Sequence, residues 1–450
     1  MKPGIPKGTR DFGPEQIRKR QFIMSTLREV FEQHGFQPIE TPAMENISTL
    51  TGKYGVEGDQ LLFRILNTGN YLRGIHPEIL QSGDYKLMLP NLAEKGLRYD
   101  LTVPLARYVV MHRNEITFPF KRYQMQTVWR ADRPQKGRYR EFWQCDVDTI
   151  GSRSLLNELE LIRIFESALT RLGLKDFSIH LNHRKILEGI VAAHGLNDKF
   201  MPFTVILDKM DKIGLDGICK ELQIATFPDT FIHFIKQLLS EGLPELDMLE
   251  KHIGSNESGK QGLADMHELL ELISAIDENH VRFDVSLARG LSYYTGTIME
   301  VVAHGVSIGS ICGGGRYDDL TSLFGLKDIP GVGMSFGLER IYDVMEELGL
   351  FDQLNTEALQ VAILHFDAAS LHYGIKVLTQ LLNAGIASEI YPDQAKMNKQ
   401  MKYANARRLP FVIIIGSEER ESGILTLKNM ISGEQKKLTL EEIIQEFHTL

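Results

Sequence analysis

The sequence has few cysteines, no long apolar run and no excess of positive charge. Its 450 residues include 3 cysteines, Cys145, Cys219 and Cys312, and no CxxC pair, so neither a disulfide framework nor a zinc site is indicated. The apolar runs at residues 359–364 and 411–415 are too short to cross a bilayer, and the charged N-terminal segment lacks the apolar core of a signal peptide. We therefore expect a cytoplasmic protein with no membrane partner.

Charge and missing motifs narrow the function further. The formal net charge of −9 argues against a protein that coats nucleic acid, although a local basic patch can still bind phosphate. No GxxxxGK[ST] or HExxH segment occurs, so any use of ATP requires a scaffold other than the P-loop. In GVGMSFG, Phe336 stands where a dinucleotide-binding GxGxxG pattern needs its third glycine. The glycine pattern therefore excludes a Rossmann site. Because the sequence has no cluster of ligand residues, we also expect no metal site built from protein ligands.

The first hundred residues begin with a predicted helix. Pro14 suits its first turn and Gly35 its end, and a short strand is predicted at residues 36–40. Residues 64–97 have little periodicity, and we interpret them as a flexible hairpin or lid. The apolar face of the first helix consists of Ile23, Leu27, Val30 and Phe31.

A β-hairpin with one polar face is predicted next. The runs KRYQMQTVWR and REFWQCDVD alternate with period two and are separated by the charged loop ADRPQKGRY. Alternation sends polar and apolar residues to opposite faces of a strand. The polar face is either the floor of a substrate cleft or a solvated outer face, and the hairpin alone does not separate the two. The residues of this face are Arg122, Gln124, Gln126, Arg130, Gln144, Asp146 and Asp148.

The remaining chain is predicted to hold a helical insertion and a second domain. Residues 182–277 have mainly helical spacing, after which the strand-like runs TIMEVVA and VSIGSICGGG lead to GVGMSFGLERIYDVMEELG, a strand followed by an amphipathic helix. A polar segment indicates a boundary near Asn355, between domains at residues 1–350 and 355–450. The second domain alternates apolar runs with amphipathic stretches, as in a small α/β domain. In its segment KMNKQMKYANARR, Lys396, Lys399 and Lys402 should share a helix face.

Four segments carry polar residues in apolar surroundings: RYDLTVPLAR, the hairpin, LARGLSYYTGT with GGGRYDD, and FGLER. Arginine suits phosphate because its planar fork donates two parallel charged hydrogen bonds. Convergence of Arg130, Arg289 and Arg340 on one cleft would indicate a polyphosphate ligand, whereas each alone is more often a surface ion pair. The glycine run 313–315 permits close backbone approach to a ligand, and a tight turn is an equally good reading.

Together these segments resemble the class II aminoacyl-tRNA synthetases, and specifically the histidyl-tRNA synthetase family. VWRADRPQKGRYREFWQ is similar to motif 2 of the class, GVGMSFGLER to motif 3, and the first helix leading to Pro42 to motif 1. LARGLSYYTGT and GGGRYD resemble the two histidine-specific motifs. The resemblance implies an α/β (α+β) fold, with an antiparallel-sheet catalytic domain that carries a helical insertion, and a C-terminal α/β anticodon-binding domain.

The resemblance also implies a reaction and its residues. Histidine and ATP would form histidyl-adenylate and diphosphate, and the histidine would then pass to the 3′ end of tRNA(His). Arg130, Arg289 and Gln144 would be catalytic, and no side-chain base is expected for the transfer step. The expected ATP-binding residues are Arg130, Arg289, Arg340 and Gly337. The expected histidine-binding residues are Asp100, Thr102 and Gln144 for the ammonium group, and Asp148, Tyr293, Tyr294 and Tyr317 for the imidazole.

Cofactor and partners follow from the same resemblance. Mg²⁺ would accompany ATP, held largely by the phosphates, with no tightly bound cofactor. Relatives pair through motif 1, so a homodimer is expected. Ser292 stands where the family usually has an acidic residue, which affects local detail only. The expected tRNA-binding residues are Lys396, Lys399, Lys402, Arg407 and Arg408, with a merely solvated helix face as the alternative.

Two rival readings share the fold. One is the non-catalytic regulatory subunit of ATP phosphoribosyltransferase, and the other is a binding module built on an inactive synthetase domain. Such regulators typically lose parts of the arginine and histidine motifs and lack the terminal domain. This chain keeps Arg130, Arg289, Arg340 and a full final segment, so the sequence favours the enzyme.

Overall fold

The computed structural model describes residues 2–51, 59–72, 74–240, 246–276, 279–289, 293–352 and 359–449. The chain divides into two compact units, Met1–Asp352 and Gln353–Leu450. The predicted boundary near Asn355, the departure at Ser292 and the predicted end of the insertion at residue 277 lie outside the described residues.

An antiparallel sheet of eight strands forms the centre of the first unit. Its order is β1-β5-β6-β11-β10-β9-β7-β8, and only the pairs β1–β5 and β7–β8 are parallel. A small antiparallel sheet has the order β2-β4-β3. The strands of this unit are β1 Gln37–Pro38, β2 Met44–Asn46, β3 Arg64–Ile65, β4 Lys95–Leu97, β5 Phe120–Trp129, β6 Glu141–Ile150, β7 Phe177–His183, β8 Val281–Phe283, β9 Thr297–Ala303, β10 Cys312–Arg316 and β11 Gly331–Gly337.

Helices cover one face of the large sheet. The first helix, α1, runs over Pro14–Gln33 and buries its predicted apolar face, while the backbone N–H of Gly13 donates to Oε1 of Gln16 at 2.9 Å and satisfies a free donor at its start. The rings of Phe31 and Phe165 lie 5.6 and 5.3 Å from the ring of Phe336 on β11. This apolar layer leaves the opposite, polar face of the sheet available for a site. The other helices of this part are α2 Ile47–Leu50, α3 Pro77–Ser82, α4 Tyr85–Leu92, α5 Thr102–Met111 and α6 Leu156–Arg171.

Residues 64–97 are more structured than the prediction of a flexible hairpin or lid. The ends pair as a hairpin, with Arg64 opposite Gly96, but the helices α3 and α4 lie between them. Both helices are short and neither has a buried residue, and Pro90 lies inside α4, a residue that normally argues against a helix at its position.

The helical insertion is present, with a later start than predicted. Strand β7 continues through Asn182 to His183, and the first helix begins at Arg184, because the strand's own alternation extends to that point. Gly189 and Gly259 let two helices approach closely, since a Cβ on Gly189 would lie 2.7 Å from Cα of Gly259. The helices are α7 Arg184–Ala193, α8 Phe200–Leu207, α9 Met210–Ile224, α10 Asp229–Ser240, α11 Leu246–Ile253 and α12 Glu257–Ser274.

One predicted strand is shorter than its sequence run. VSIGSICGGG predicts a strand from Val306, but β10 begins at Cys312 and residues 306–311 form a loop. Gly305 adopts φ 76° after the end of β9 and turns the chain away from the sheet. The predicted strand-to-helix passage is confirmed, because β11 leads directly into α13, Leu338–Glu347.

The second unit contains a five-stranded mixed sheet of order β13-β12-β14-β15-β16. Strand β12 is parallel to β13 and β14, and the other pairs are antiparallel. Across the described residues, no helix is both long and apolar enough to span a membrane. The elements are β12 Val361–His365, α14 Ala368–Asn383, β13 Ser388–Ile390, α15 Met397–Ala406, β14 Phe411–Ile415, α16 Ser417–Ser422, β15 Leu425–Asn429, β16 Gln435–Leu438 and α17 Leu440–Thr449.

Candidate active site

A cavity of about 660 Å³ lies over the polar face of the large sheet. The cleft-floor reading of the hairpin is confirmed, since Gln144, Asp146 and Asp148 line this cavity and are at most 9% exposed. The cavity also brings together every residue that the sequence predicts for histidine and ATP. These are Asp100, Thr102, Arg130, Gln144, Asp148, Arg289, Tyr293, Tyr294, Tyr317, Gly337 and Arg340.

Asp148 is held from two sides at one end of the cavity. Nη2 of the fully buried Arg122 lies 2.8 Å from Oδ2 of Asp148, and the two residues are directly opposite on β5 and β6. The hydroxyl of Tyr317 donates a hydrogen bond to Oδ1. Burial raises the pKa of Asp148, while Arg122 and the Tyr317 hydrogen bond oppose that rise. The carboxylate is thus oriented to accept from a ligand donor in the cavity.

Tyrosines and a glycine define the walls around Asp148. The ring of Tyr293 lies 4.8 Å from that of Tyr294 and 6.2 Å, edge to face, from that of Tyr317. Gly333 lies opposite Asp148 on the neighbouring strand, and a Cβ at that position would overlap the carboxylate. This end is therefore a small, polar, aromatic-walled pocket whose shape depends on the absence of a side chain.

Acceptors lie between this pocket and the rest of the cavity. Oδ1 of Asp100 accepts from the backbone N–H of Val103 at 3.1 Å in the first turn of α5, the helix that begins with Thr102. Nε2 of Gln144 donates to the hydroxyl of Ser335 at 2.9 Å, and its Oε1 is buried without a hydrogen-bond partner among the described residues. The amide oxygen of Gln144 is therefore available to a ligand donor.

The other end of the cavity is rich in arginine. The guanidinium of Arg130 lies 4.3 Å from the ring of Tyr99 and 5.2 Å from that of Phe142, and its Nε donates to the carbonyl of Tyr99 at 3.1 Å. Nε of Arg340 donates to the carbonyl of Gly137 at 3.2 Å, and Nη1 donates to that of Ser310. Stacking and backbone contacts fix both groups without neutralising them.

Arg289 completes the cationic end. Its Nη1 lies 3.5 Å from Oε2 of Glu300, and a Cβ on Gly313 would come within 2.5 Å of the same nitrogen. Burial alone would lower the pKa of Arg289, but Tyr294, Glu300 and other neighbours raise it above its usual value. The pKa of Arg340 is lowered by burial and by nearby arginines. An anion at this end would relieve that repulsion.

Two charged residues of the predicted motifs form ion pairs with other side chains of the protein. Glu339 of FGLER accepts from Nη1 of Arg20 at 2.9 Å and from the backbone N–H of Trp143 at 3.0 Å, which ties α1 and β6 to α13. Arg316 of GGGRYD forms a buried ion pair with Glu158 at 2.6 Å. These contacts hold the strands that carry the cavity residues.

Some cavity residues were not among the predicted site residues. Asp146 lines the cavity and Arg122 pairs with Asp148 beneath it; both appear in the polar hairpin pattern, so their alternation was a usable signal. Tyr99 and Phe142 stack on Arg130, and no local pattern indicates this. Other lining residues come from the helical insertion and from the loop at residues 306–311, where only the fold brings them to the cavity. They are Asp208, Asp211, Lys212, Ser307, Ile308, Gly309 and Ser310.

The predicted basic stripe lies in the second unit, on and beside α15. All five side chains are exposed, and Arg407 also approaches Glu389 at 3.8 Å and donates to the hydroxyl of Tyr403 at 2.9 Å. These contacts leave the lysines available to solvent. The stripe consists of Lys396, Lys399, Lys402, Arg407 and Arg408.

Comparisons with known proteins agree over the whole chain. The family model described as histidyl-tRNA synthetase matches residues 8–82 and 85–341, and the model described as an anticodon binding domain matches residues 360–450. A histidine–tRNA ligase of Cytophaga hutchinsonii is 48% identical over 450 residues and covers 99% of each chain. The crystal structure of a histidyl-tRNA synthetase from a Nostoc species is 28% identical, with a TM-score of 0.80 over 100% of this chain and 99% of that one.

A solved chain from Bacillus halodurans bears on the rival reading. It is described as an ATP phosphoribosyltransferase regulatory subunit/histidyl-tRNA synthetase, is 23% identical, and aligns with a TM-score of 0.71 over 89% of this chain and 96% of that one. At this identity the likeness concerns the fold alone. Full-length identity near one half and the two matching family models decide the question: the chain belongs to the histidyl-tRNA synthetase family.

Proposed function

We propose that this protein is a histidine–tRNA ligase, which forms histidyl-adenylate from histidine and ATP and then transfers histidine to tRNA(His). One observation carries the proposal. A single cavity contains the Asp148 pocket, which suits a ring with two nitrogens, and a cationic end. At that end Arg130, Arg289 and Arg340 provide positive charge for an anion. The regulatory-subunit alternative is not favoured, because full-length relatives of high identity are ligases.

Histidine would bind with its imidazole toward Asp148. The carboxylate accepts from a ring N–H, and the tyrosine hydroxyls supply the complementary contact. An amino acid of similar shape without these ring nitrogens would leave buried polar groups unpaired, which rejects it strongly. Asp100, Thr102 and the free Oε1 of Gln144 would accept hydrogen bonds from the ammonium group.

ATP would bind at the arginine end. When the histidine carboxylate attacks the α-phosphorus, negative charge builds on the phosphate oxygens. Guanidinium groups already fixed by stacking and backbone contacts, as in Arg130 and Arg340, would stabilise that charge with little rearrangement. Arg289 would contact the same phosphate from the Gly313 side, while Gly337 would let the nucleotide approach β11. We assign catalytic roles to Arg130, Arg289 and Gln144.

Magnesium would come with ATP, bound mainly by the phosphates. Glu300 beside Arg289 offers the cavity a carboxylate ligand, so the donor set is compatible with such an ion. Among the described residues, one group of three potential ligands lies close together, Asp247, Glu250 and His267, and it is exposed and does not line the cavity. The expectation of no tightly bound cofactor stays a prediction.

The second unit would bind the anticodon of the tRNA. We propose residues 1–350 as the catalytic domain and residues 355–450 as the anticodon-binding domain, in which the exposed lysines of α15 face tRNA phosphates. We also propose a homodimer paired through the motif 1 region, consistent with the exposed Met44 on the edge strand β2. The substrates ATP and tRNA are consistent with a cytoplasmic location.

Exchange of labelled diphosphate into ATP tests the first step. We expect exchange with histidine and with none of the other amino acids, and a large loss in Arg289→Ala. Aminoacylation of tRNA(His) then tests the second step. Absence of exchange under all conditions, from a chain that is folded and binds ATP, would reject the ligase and revive the regulatory reading.

A further inference from the structure

Asp146 has no role in the site described so far, although it lies at its centre. The residue is 2% exposed, lines the cavity, and stands between Gln144 and Asp148 on the same face of β6. Its Oδ1 is buried and has no hydrogen-bond partner among the described residues. A buried carboxylate oxygen without a donor is costly, so its retention in a substrate cavity suggests that a ligand supplies the donor.

The nearby buried cation does not satisfy Asp146. Arg122 forms its ion pair with Asp148 at 2.8 Å, and no ion pair joins Asp146 to a cation in the described part of the chain. The direct neighbours of Asp146 across the sheet are the uncharged Gln124 on β5 and Ser335 on β11, and Ser335 hydrogen-bonds the carboxylate without neutralising its charge. Oδ1 of Asp146 is therefore available to a group that enters the cavity.

Position along the strand indicates which part of the substrate that group belongs to. Asp148 marks the imidazole pocket and lies opposite Gly333, whereas Gln144 lies opposite Gly337 at the nucleotide end. Asp146 is midway, opposite Ser335. In a histidine bridging the two ends, the atoms above Asp146 are those around Cα, which carry the ammonium group and the reacting carboxylate. A carboxylate would repel the second and bind the first.

We propose that Asp146 is a further binding residue for the α-ammonium of the substrate, acting with Asp100 across the cavity. This inference rests on the proposed function. Two carboxylates that share one cation also explain why an amino acid lacking a free ammonium group, such as a residue within a peptide, would be excluded.

The electrostatics of the cavity agree with this proposal. Burial, together with the neighbouring Asp148 and Asp100, raises the pKa of Asp146 to about 7 against the opposing effects of Arg122 and of a hydrogen bond with Ser335. Asp100, Asp146 and Asp148 all line this part of the cavity, and the buried guanidinium of Arg122 is paired with one of them, Asp148. The ammonium group of the ligand would bring a positive charge next to these carboxylates. No other group of histidine is proposed to do so.

The test pairs removal of the carboxylate with removal of the ammonium. Titration calorimetry would measure Kd for two ligands with the full-length wild type and with Asp146→Asn. Histidinol keeps the imidazole and the ammonium, whereas 3-(imidazol-4-yl)propionate keeps the imidazole and lacks the ammonium. Loss of a charged hydrogen bond predicts that Kd for histidinol rises about 10- to 100-fold in the variant. Kd for the propionate should change less than about 3-fold, because that ligand has no ammonium to lose.

The controls separate the alternatives. Glu160→Gln removes a carboxylate that binds Lys121 at 2.7 Å outside the cavity, and it should leave both Kd values unchanged. Equal weakening of both ligands by Asp146→Asn, or of neither, would overturn the assignment to the ammonium. Binding of the propionate shows that the variant has folded. If Asp146→Asn does not fold, Asp146→Ser is tested in its place. A wild type that binds neither ligand would instead contradict the proposed histidine site.

Discussion

Gly333→Ala should damage the histidine pocket through a single added carbon. Gly333 lies opposite Asp148 on the adjacent strand, and a Cβ built on it would overlap the carboxylate and lie 3.0 Å from Cβ of Asp148. Carbon atoms in contact prefer a separation of roughly 3.5–4.0 Å. Both residues lie within a paired sheet, so the side chain of Asp148 must move rather than the backbone.

The size of the effect of Gly333→Ala follows from the contacts that Asp148 makes. Displacement of its carboxylate by about 1 Å would break the 2.8 Å ion pair with Arg122, which is 0% exposed. Loss of one partner of a buried pair costs about 3–5 kcal/mol of folding free energy. A shift of about 1 Å in a positioning group also costs on the order of 100-fold in rate. We therefore expect kcat/KM for histidine to fall about 100-fold, with KM for ATP changed less than about 3-fold.

Histidine-dependent diphosphate exchange and denaturant unfolding measure the two effects. Gly4→Ala is the matched control, because a Cβ on Gly4 meets nothing within 4 Å. If Gly333→Ala keeps both the wild-type stability and the wild-type KM for histidine, Asp148 is not confined as described and the account of the imidazole pocket fails.

Three further predictions concern the same cavity. Tyr317→Phe removes the hydroxyl that donates to Asp148, so KM for histidine in the exchange assay should rise about 10-fold with KM for ATP unchanged; equal changes in both would contradict a local role. Arg289→Ala should lower the exchange kcat about 100- to 1000-fold, and Arg289→Lys should recover only part of it, because lysine keeps the charge but not the planar fork; full recovery would mean that charge alone matters. Burial raises the pKa of Asp146 from 3.8 to about 7, so the folded state binds a proton that the unfolded state has already released, and wild-type stability falls as pH rises from about 4 to about 7. Denaturant unfolding should therefore show Asp146→Asn gaining about 3 kcal/mol over wild type between pH 5 and pH 8, and a pH-independent difference would refute the raised pKa.

The sequence was informative wherever alternation or a motif coincided with the sheet. Period-two spacing in the hairpin predicted that Gln144, Asp146 and Asp148 share a face, and the cavity lies on that face. The arginines came from separate segments, and their convergence could be inferred only through the resemblance. Neither composition nor periodicity gives the order of β6, β11, β10 and β9, which is what brings Arg130 and Arg289 to one cavity.

Other features had no sequence signal because they depend on distant packing. The helices α3 and α4 are short and bury nothing, and Pro90 within α4 reads in the sequence as a helix breaker. Asp208 and Asp211 reach the cavity from the helical insertion, and their own segment looks like an ordinary polar helix end. The alternation of residues 306–311 predicts a strand. In the structure the turn at Gly305 takes this segment out of the sheet, and it forms a loop.

Charges of like sign cluster at each end of the cavity, arginines at the nucleotide end and acids at the amino-acid end. Burial and then the neighbouring arginines lower the pKa of Arg340 at the nucleotide end, and burial and then the neighbouring acids raise the pKa of Asp146 at the amino-acid end. A ligand with an ammonium group at one end and phosphates at the other neutralises both charge clusters at once. Histidyl-adenylate has that charge pattern, because its α-ammonium is retained while its reacted carboxylate is neutral. Since the sheet holds these charges before any ligand enters, we propose that the cavity is complementary to the adenylate and to the transition state that leads to it, more than to either substrate alone.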